Sequence, residues 1–246
     1  MLEIVIKAEE IFKIGSYVVT NSIILSFLVF LVLSVTAVIL KNKIKLIPGT
    51  FQSIFELIIE FLLGLMDSIL GDRKKSEKYL PLIATIFLFI LASNWLGLLP
   101  GVGSFVMHTE HTTIPVLRSP ASDLNFTLML AILAVFATNF FGIVVLGFFK
   151  HIGKFLNFSN PINFFVGILE FLSEISRIIS FSFRLFGNVF AGEVLLTIIF
   201  FLTPYVVPIP FLFLELFFGA IQALIFAMLT VVFLASHTAS HEANDH

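Results

Sequence analysis

The segment SFSFRLFGNVFAGE, residues 180–193, places Arg184 near the middle of an apolar run that extends over residues 161–202. A cation at the centre of a bilayer costs roughly 2.5–3.5 kcal/mol on insertion scales. Arginine does not avoid this cost by losing its proton, because its pKa stays above about 12. A permanent charge kept in such a place therefore indicates a functional role.

The composition of the chain is typical of a polytopic membrane protein. Its 246 residues are 59% hydrophobic and 12% charged, with a mean hydropathy of +1.09, whereas soluble domains carry about 25% charged residues. The net charge of -2 gives no electrostatic reason to expect a nucleic-acid partner. The absence of cysteine excludes disulfides, thiolate metal sites and cysteine nucleophiles.

Hydropathy and charge predict an all-α membrane protein with about five crossing helices and one amphipathic helix on the cytoplasmic side, in a single domain over residues 1–246. The predicted segments, in chain order, are an outer N-terminal segment (1–16), a helix (17–40), an amphipathic helix (51–70), a helix (80–99), a helix (126–149), a long tilted helix (161–202), a long helix (211–236) and a polar tail (237–246).

The helix predicted over residues 161–202 is too long to stand upright. At 1.5 Å per residue it would be about 60 Å long, roughly twice the hydrocarbon thickness of a bilayer. A strong tilt is favoured, because no charged or proline-rich loop interrupts the run. The alternative is a turn near Gly187 or Gly192 that divides it into two short passes.

The distribution of basic residues predicts the orientation. Nine of the 14 lysines and arginines fall in the segments predicted to be cytoplasmic and three in outer segments, which places the N-terminus outside and the C-terminus inside. The acids Glu56, Glu60 and Asp67 share one stripe of the amphipathic helix, which either lies at the cytoplasmic surface or packs with its acids inward. A bacterial plasma membrane is favoured, with an organelle inner membrane as the alternative.

Polar side chains follow a single stripe of the long helix. At about 100° per residue, Glu170, Glu174, Arg177, Arg184 and Asn188 fall within about 80° of one another. Such a stripe is typical of the wall of an aqueous or protein-lined path.

Three further polar residues extend this pattern. Glu193 lies on another face of the long helix, towards the outside, while Glu215 and Gln222 share a face of the last helix. The topology therefore predicts two polar half-paths, one from each side of the membrane, with Arg184 between them.

Five of these residues also have a simpler interpretation. Arg184 can pair with a carboxylate of a neighbouring helix, and Glu170 and Glu174 can be solvated near the cytoplasmic surface. Asn188 and Gln222 can be ordinary interhelical hydrogen-bonding residues, which contribute about 0.6 kcal/mol in membranes. The histidines His237, His241 and His246 are interpreted as part of a mobile tail. No metal or cofactor site is expected.

The chain resembles subunit a of the F-type ATP synthases, the stator of their membrane proton motor. The residues that carry the resemblance are Arg184-Leu185-Phe186-Gly187-Asn188, Ala191-Gly192-Glu193, Ile221-Gln222-Ala223-Leu224-Ile225-Phe226, Leu229-Thr230, the run from Asn94 to Gly101, and Ser122-Asp123-Leu124-Asn125. An arginine motif on an over-long penultimate helix, followed by a glutamine motif, is specific to this family.

The resemblance implies that Arg184 is the essential stator arginine, which faces a carboxylate of the rotating c-subunit ring. The residues it implies for the proton path are Asn188, Glu193, Glu215, Gln222, Glu170 and Ser180, with Glu174, Arg177 and Asp123 as weaker candidates. It implies the c-ring, the b-subunit peripheral stalk and the rest of the ATP synthase as partners. The subunit would not be an enzyme on its own, because ATP chemistry belongs to other subunits.

The chain departs from the family pattern at one pair of positions. Family members often have a histidine paired with an acid where this chain has Glu193 and Glu215. Two acids in contact tend to share a proton, so the outer path would titrate differently.

Two other classes of function are compatible with a buried arginine. A secondary transporter with a polar midplane site around Arg184 predicts internal repeats and helices broken in mid-membrane, and no repeat is present between the halves of this sequence. A non-conducting assembly scaffold predicts that Arg184 only forms a structural ion pair.

Overall fold

The computed structural model describes residues 9–14, 17–99, 106–108, 113–148, 153, 161–203 and 205–238. In these residues the main elements are six long helices and two small antiparallel hairpins. The helices are α1 (Asn21–Lys43), α2 (Thr50–Leu70), α3 (Arg73–Gly97), α4 (Leu124–Leu146), α5 (Pro161–Leu202) and α6 (Pro208–Thr238). The hairpins pair β1 (Glu10–Ile14) with β2 (Tyr17–Thr20), and β3 (Val106–His108) with β4 (Thr113–Pro115).

The helices α1, α3, α4, α5 and α6 are long and apolar enough to cross a membrane. At 1.5 Å per residue, the 42 residues of α5 span about 63 Å and the 31 residues of α6 about 46 Å. Both exceed the hydrocarbon core of about 30 Å, so neither helix fits upright as a straight rod. The predicted all-α polytopic fold with two long final helices is confirmed.

One end of the bundle, called the hairpin end, joins the start of α1, the end of α3 and the segment before α4. Asn21 Nδ2 donates to the Pro115 carbonyl at 3.3 Å, and the Asn21 backbone N–H donates to the Glu9 carbonyl at 3.2 Å. Ser22 Oγ donates to Asp123 Oδ2 at 2.7 Å. These contacts hold the segment that connects α3 and α4 against the start of α1.

The opposite end, called the basic end, contains the end of α1, all of α2, the start of α3 and the end of α6. Its basic side chains are Lys41, Lys43, Lys45, Arg73, Lys74, Lys75 and Lys78. Gly71, with φ of 67°, turns the chain between α2 and α3, and Arg73 NH1 then binds Asp67 Oδ2 at 2.8 Å. This pair holds α2 against the start of α3.

The helix boundaries differ from the sequence prediction where capping residues or strands intervene. The helix predicted over 17–40 begins at Asn21, because residues 17–20 pair with β1 as strand β2. The helix predicted over 80–99 begins at Arg73, because Asp72 caps it by accepting from the Lys74 backbone N–H at 3.0 Å.

The boundaries of α4 and α6 also differ from the sequence prediction. The helix predicted over 126–149 begins at Leu124 behind its cap Asp123, and ends before Gly147, which has φ of 85°. The helix predicted over 211–236 extends from Pro208 to Thr238. Proline is tolerated in the first turn of a helix, since the N–H it lacks has no intrahelical partner there. Residues 237 and 238 of the predicted tail are therefore helical, and residues 239–246 lie outside the described part.

The core lies among α3, α4, α5 and α6 and depends on small residues of α6. Ala223 and Ala227 are fully buried and allow close approach of neighbouring helices. Phe181 of α5 contacts Phe226 and Phe233 of α6, with ring centroids 4.8 Å and 5.4 Å apart. The last two helices are thereby fixed to each other along one face of α5.

Gly97→Ala is expected to destabilise the protein, because the added Cβ would lie 2.6 Å from Ser119 Cβ and 3.1 Å from Ser119 Cα. Overpacking of this kind typically costs about 1–3 kcal/mol. Gly64→Ala is the matched control, since nothing lies within 4 Å of a Cβ there, and alanine in a helix is favoured over glycine by about 1 kcal/mol. Thermal unfolding in detergent should show a lower Tm for the first variant only. Equal Tm values would contradict the packing of Ser119 on α3.

Candidate functional site

A cavity of about 360 Å³ opens at the hairpin end between α3, α5, α6 and the segment that precedes α4. Its polar lining comes from all four parts of the chain. The residues concerned are Asn94, Arg118, Ser119, Glu193, Thr197 and Glu215. Ordinary apolar packing does not account for such a concentration of charge inside a membrane protein, so the cavity is a candidate site.

The two acids predicted on separate helices meet in this cavity. Glu193 of α5 and Glu215 of α6 both line it. The Glu215 carboxylate lies directly against Gly192, where the Cβ of any other residue would overlap with it. Glycine at position 192 therefore creates the space in which the Glu215 carboxylate can lie beside Glu193.

Arg118 is a member of this site that the sequence analysis did not identify. Its side chain is 9% exposed, and its Nε lies 3.3 Å from Glu193 Oε1 and donates to Ser122 Oγ at 3.1 Å. In the sequence it is one basic residue in a polar outer segment, and nothing in its local pattern distinguishes it. Within the cavity it places a permanent positive charge beside Glu193, so an ionised carboxylate at that position has a counter-ion.

Several buried polar atoms around the cavity have no hydrogen-bond partner within the described residues. They are Ser93 Oγ, Asn94 Oδ1, Ser119 Oγ, Glu193 Oε2 and Gln222 Nε2. Burying a polar atom without a partner costs about 1–3 kcal/mol, so such atoms usually bind water. Their positions trace a polar route from the cavity into the helix bundle.

The inner part of this route connects α3, α5 and α6. Asn94 Nδ2 donates to the Gly219 carbonyl at 3.0 Å, and a Cβ on Gly219 would lie 3.1 Å from Asn94 Cβ. One turn further along α6, the buried Gln222 accepts a hydrogen bond from Asn188 Nδ2 through its Oε1 at 2.6 Å. The route thus reaches Asn188, which lies one helical turn from Arg184.

Arg184 lies on an exposed face of α5 and has no ion pair within the part of the chain that the structure describes. Its hydrogen bond there joins NH2 to Ser180 Oγ at 3.4 Å, a long contact. Its neighbours on the surface are apolar: Ile179 and Phe183 are 49% and 57% exposed. A structural ion pair to a neighbouring helix of the same chain, the simpler interpretation of this residue, is therefore not found in the described residues.

The predicted polar stripe of α5 divides into two groups. Glu174 is buried and binds Arg177 NH1 through its Oε1 at 2.6 Å and Asn139 Nδ2 of α4 through its Oε2 at 3.1 Å. Arg184 and Asn188 are instead exposed, and Glu170 is half-buried one turn before Glu174. Glu174 is thus not simply solvated at the surface, because its carboxylate has protein partners.

His237 joins the group around Glu174, contrary to its assignment to a mobile tail. Its side chain is 4% exposed, and its Nε2 lies 3.0 Å from Glu174 Oε1. The residue belongs to the last turn of α6, where it contacts Glu174 and Arg177 of α5. A continued helical pattern beyond residue 236 is the signal that would have identified it.

Asp123 lies away from both groups and has a clear structural function. Its Oδ1 accepts from the Asn125 backbone N–H at 2.9 Å and its Oδ2 accepts from Ser22 Oγ at 2.7 Å. The side chain thus caps α4 and connects it to α1. Asp123 is not among the residues that line the cavity.

The family model described as ATP synthase A chain matches residues 22–235. The chain belongs to this family. The resemblance recognised in the arginine and glutamine motifs of α5 and α6 is thereby confirmed.

Curated relatives named "ATP synthase subunit a" cover most of the chain. The relative from Campylobacter concisus (strain 13826) is 37% identical over 218 residues, which are 87% of this chain and 88% of the relative. The one from Helicobacter pylori (strain P12) is 34% identical over 237 residues, covering 95% and 92%. The one from Moorella thermoacetica is 30% identical over 236 residues, covering 96% and 99%.

A double-mutant cycle tests the contact between Gly192 and Glu215. Gly192→Ala alone is expected to lower the free energy of unfolding by about 1–3 kcal/mol, because the Cβ displaces the Glu215 carboxylate. In a Glu215→Ala background the same change should cost less, with a coupling of about 0.5–3 kcal/mol. Denaturant unfolding of the four variants in detergent measures both quantities. Additive effects would show that the two side chains do not share this space.

Proposed function

We propose that this chain is the proton-channel stator subunit of an F-type ATP synthase. In this proposal two polar half-channels reach Arg184 from opposite sides of the membrane, and Arg184 faces the carboxylates of a rotating c-subunit ring. The observation that carries it is Arg184 itself, a permanent charge on an exposed apolar face with no ion pair among the described residues. Such a charge requires a partner outside the chain, and a moving carboxylate meets that requirement.

The geometry of the hairpin end supports the outer half-channel. Glu193, Glu215 and Arg118 surround a cavity of about 360 Å³, and Asn94, Gln222 and Asn188 continue from it towards Arg184. Polar atoms without protein partners along this route can hydrogen-bond to water and so support proton transfer. The proton-path roles of Glu193, Glu215, Gln222 and Asn188 are part of the proposal.

Glu193 and Glu215 are both acids, whereas the family resemblance leads us to expect an acid and a histidine, and a pair of acids can still conduct protons. One ionised and one protonated carboxyl can exchange a proton, and Arg118, 3.3 Å from Glu193, provides a counter-ion for the ionised one. A second ionised carboxyl beside the first is disfavoured by like-charge repulsion. The site can therefore hold a single exchangeable proton.

The second half-channel is assigned to the basic end, where Glu170 and the buried group around Glu174 lie on the same helix as Arg184. Arg177 forms an ion pair with Glu174 at 2.6 Å, so its charge is compensated there. Arg184, two turns further along α5, remains without a carboxylate partner in the described residues. It thus separates the two polar regions.

The mechanism follows from electrostatics. A proton entering one half-channel neutralises a c-ring carboxylate, which can then face lipid without the cost of a buried charge. When that carboxylate arrives at Arg184, the guanidinium favours its ionised form and the proton leaves into the other half-channel. The same positive charge repels protons that would pass directly between the half-channels. One elementary charge crossing the membrane is worth about 2.3 kcal/mol per 100 mV.

The proposed function also implies partner subunits, an orientation in the membrane and a cellular location. The c-ring, the b-subunit peripheral stalk and the remaining ATP synthase subunits are its partners, and the chemistry of ATP takes place in other subunits. Basic residues concentrate at one end of the bundle, which favours that end as cytoplasmic and the hairpin end as outer. A bacterial plasma membrane is the proposed location.

Two observations disfavour the competing classes of function. A secondary transporter would have helices broken at mid-membrane, whereas α5 is continuous from Pro161 to Leu202. A scaffold in which Arg184 pairs within the chain is disfavoured because the described residues contain no carboxylate bound to it. Neither alternative explains why the polar route from the cavity ends beside Arg184.

Arg184→Ala is expected to abolish proton-driven ATP synthesis, because no fixed cation would then favour the ionised c-ring carboxylate. Assembly should persist, since Arg184 is exposed and its hydrogen bond to Ser180 is long. The measurement is ATP synthesis by vesicles that contain the purified complex, with co-purification of the b and c subunits as the test of assembly.

The matched control for this variant is Arg73→Ala, which removes an arginine that is bound to Asp67 and Glu77 at the basic end. It should leave the synthesis rate close to that of the unmodified complex. Normal synthesis in an assembled Arg184→Ala complex would overturn the proposed function.

Gln222→Leu and Glu193→Ala are expected to slow proton flux while leaving assembly intact. The first change removes the hydrogen-bond partner of Asn188, and the second removes a carboxylate from the cavity. Proton uptake by vesicles under an imposed potential measures the flux. Rates equal to those of the unmodified complex would exclude a channel role for these residues.

A further inference from the structure

A buried histidine at the basic end contacts an arginine and a glutamate through the same ring nitrogen. His237 Nε2 lies 2.8 Å from Arg177 NH1 and 3.0 Å from Glu174 Oε1. Arg177 NH1 also donates to Glu174 Oε1 at 2.6 Å. A donor and an acceptor therefore both lie within hydrogen-bonding distance of one ring nitrogen.

The protonation state of the ring decides which of the two contacts is a hydrogen bond. Arginine is a donor only, and an ionised carboxylate is an acceptor only. With Nε2 unprotonated, its lone pair accepts a hydrogen bond from Arg177. With Nε2 protonated, its N–H donates to Glu174 instead. Gain or loss of one proton thus exchanges the partner of His237 with little movement of the ring.

The surroundings hold the three side chains in place in both states. Asn139 Nδ2 of α4 donates to Glu174 Oε2 at 3.1 Å, and the Arg177 guanidinium lies 4.4 Å from the centre of the Phe233 ring. His237 belongs to the last turn of α6, where the helix dipole favours a positive charge. The imidazole therefore has support for its charged form as well as for its neutral form.

The other titratable groups on the elements packed against α6 have different surroundings. From α5, Glu174 and Arg177 face His237, and from α3 Tyr79 lies beside Thr238. On α2, Asp67 binds Arg73, Glu56 accepts from Gln52, and Glu60 is exposed. α4 contributes the uncharged Asn139. Glu174 and Arg177 are thus the charged side chains that contact His237 within the described part of the chain.

We propose that His237 is a proton-relay residue at the basic-end mouth of the inner half-channel, and that it exchanges protons with Glu174. In one direction the proton moves from Nε2 of the imidazolium to Oε1 of the Glu174 carboxylate. This leaves a neutral imidazole, which accepts from Arg177, and a neutral carboxyl. The reverse step returns the proton to Nε2. The inference rests on the proposed function and assigns to it a residue that the sequence analysis placed in a tail.

The test is the dependence of ATP synthesis on pH at the basic end in His237→Gln. Vesicles contain the whole ATP synthase, and pH is varied only on the side of its catalytic head, with the other side and the potential constant. Synthesis rates are divided by uncoupled ATP hydrolysis rates at the same pH, which removes the pH dependence of the catalytic head.

The expected result is a ratio of variant to unmodified rates that changes with pH. Glutamine does not ionise, so the variant loses whatever part of the flux depends on protonation of the imidazole. The ratio should therefore change severalfold between about pH 5 and pH 8, the interval in which histidine is the side chain that ordinarily changes charge. A merely structural role would lower the rate by the same factor at every pH.

Two further variants serve as a control and as a substitute test. Ser236→Ala changes the exposed neighbour of His237, whose hydroxyl donates to the Phe233 carbonyl of its own helix. This control should give a pH-independent ratio close to one. If the His237→Gln complex does not assemble, Arg177→Gln provides the same test. It removes the hydrogen-bond donor to the unprotonated Nε2, so the pH profile of the synthesis rate should differ in shape from that of the unmodified complex.

The outcomes separate this inference from the proposed function. A pH-independent ratio for His237→Gln, or a pH profile of unchanged shape for Arg177→Gln, overturns the relay while Arg184→Ala still abolishes synthesis. Persistent synthesis in Arg184→Ala overturns the proposed function itself, whatever the profile of the histidine variant.

Discussion

Arg184 keeps a permanent positive charge on the longest apolar helix of the chain, and the arrangement of the other polar residues depends on it. Its cost in a bilayer is roughly 2.5–3.5 kcal/mol on insertion scales. Within the described residues the chain offers it a serine hydroxyl and no carboxylate. The polar residues of α5 and α6 lie on either side of it and leave its own face open. This is the arrangement expected where the compensating charge belongs to another subunit.

Small residues make this arrangement sterically possible. Gly192 leaves room for the Glu215 carboxylate, Gly219 lets Asn94 reach the backbone of α6, and Gly97 lets the Ser119 segment close over the end of α3. At each position a Cβ would meet another side chain, so glycine here provides close approach and not a turn. These contacts bring side chains from distant parts of the sequence into one cavity and its inward route.

Charges that the local sequence pattern did not distinguish complete both polar regions. Arg118 comes from a segment that hydropathy only classifies as an outer loop, yet it is buried beside Glu193. His237 comes from what composition describes as a tail, yet it is buried against Glu174. In both cases the decisive contact joins residues far apart in the chain. A helical pattern that continues to His237 can place that residue on α6, but it does not identify Glu174 as its partner. The stripe on α5 was correctly recognised as polar, but its division into a buried and an exposed group depends on which neighbours cover each turn.

The sequence by itself determined the number of helices long enough to cross a membrane, the unusual length of the last two, and the family. It also determined which polar residues of these two helices are candidates for the functional site. These follow from local hydropathy, helical period and motif, which require no knowledge of neighbouring elements. Only the tertiary structure decided that Glu193, Glu215 and Arg118 share one cavity, that Asn188 binds Gln222, and that His237 lies between Glu174 and Arg177. The physical reason is that burial and hydrogen bonding between helices depend on their packing distances. Those distances are set by small residues whose partners lie elsewhere in the chain.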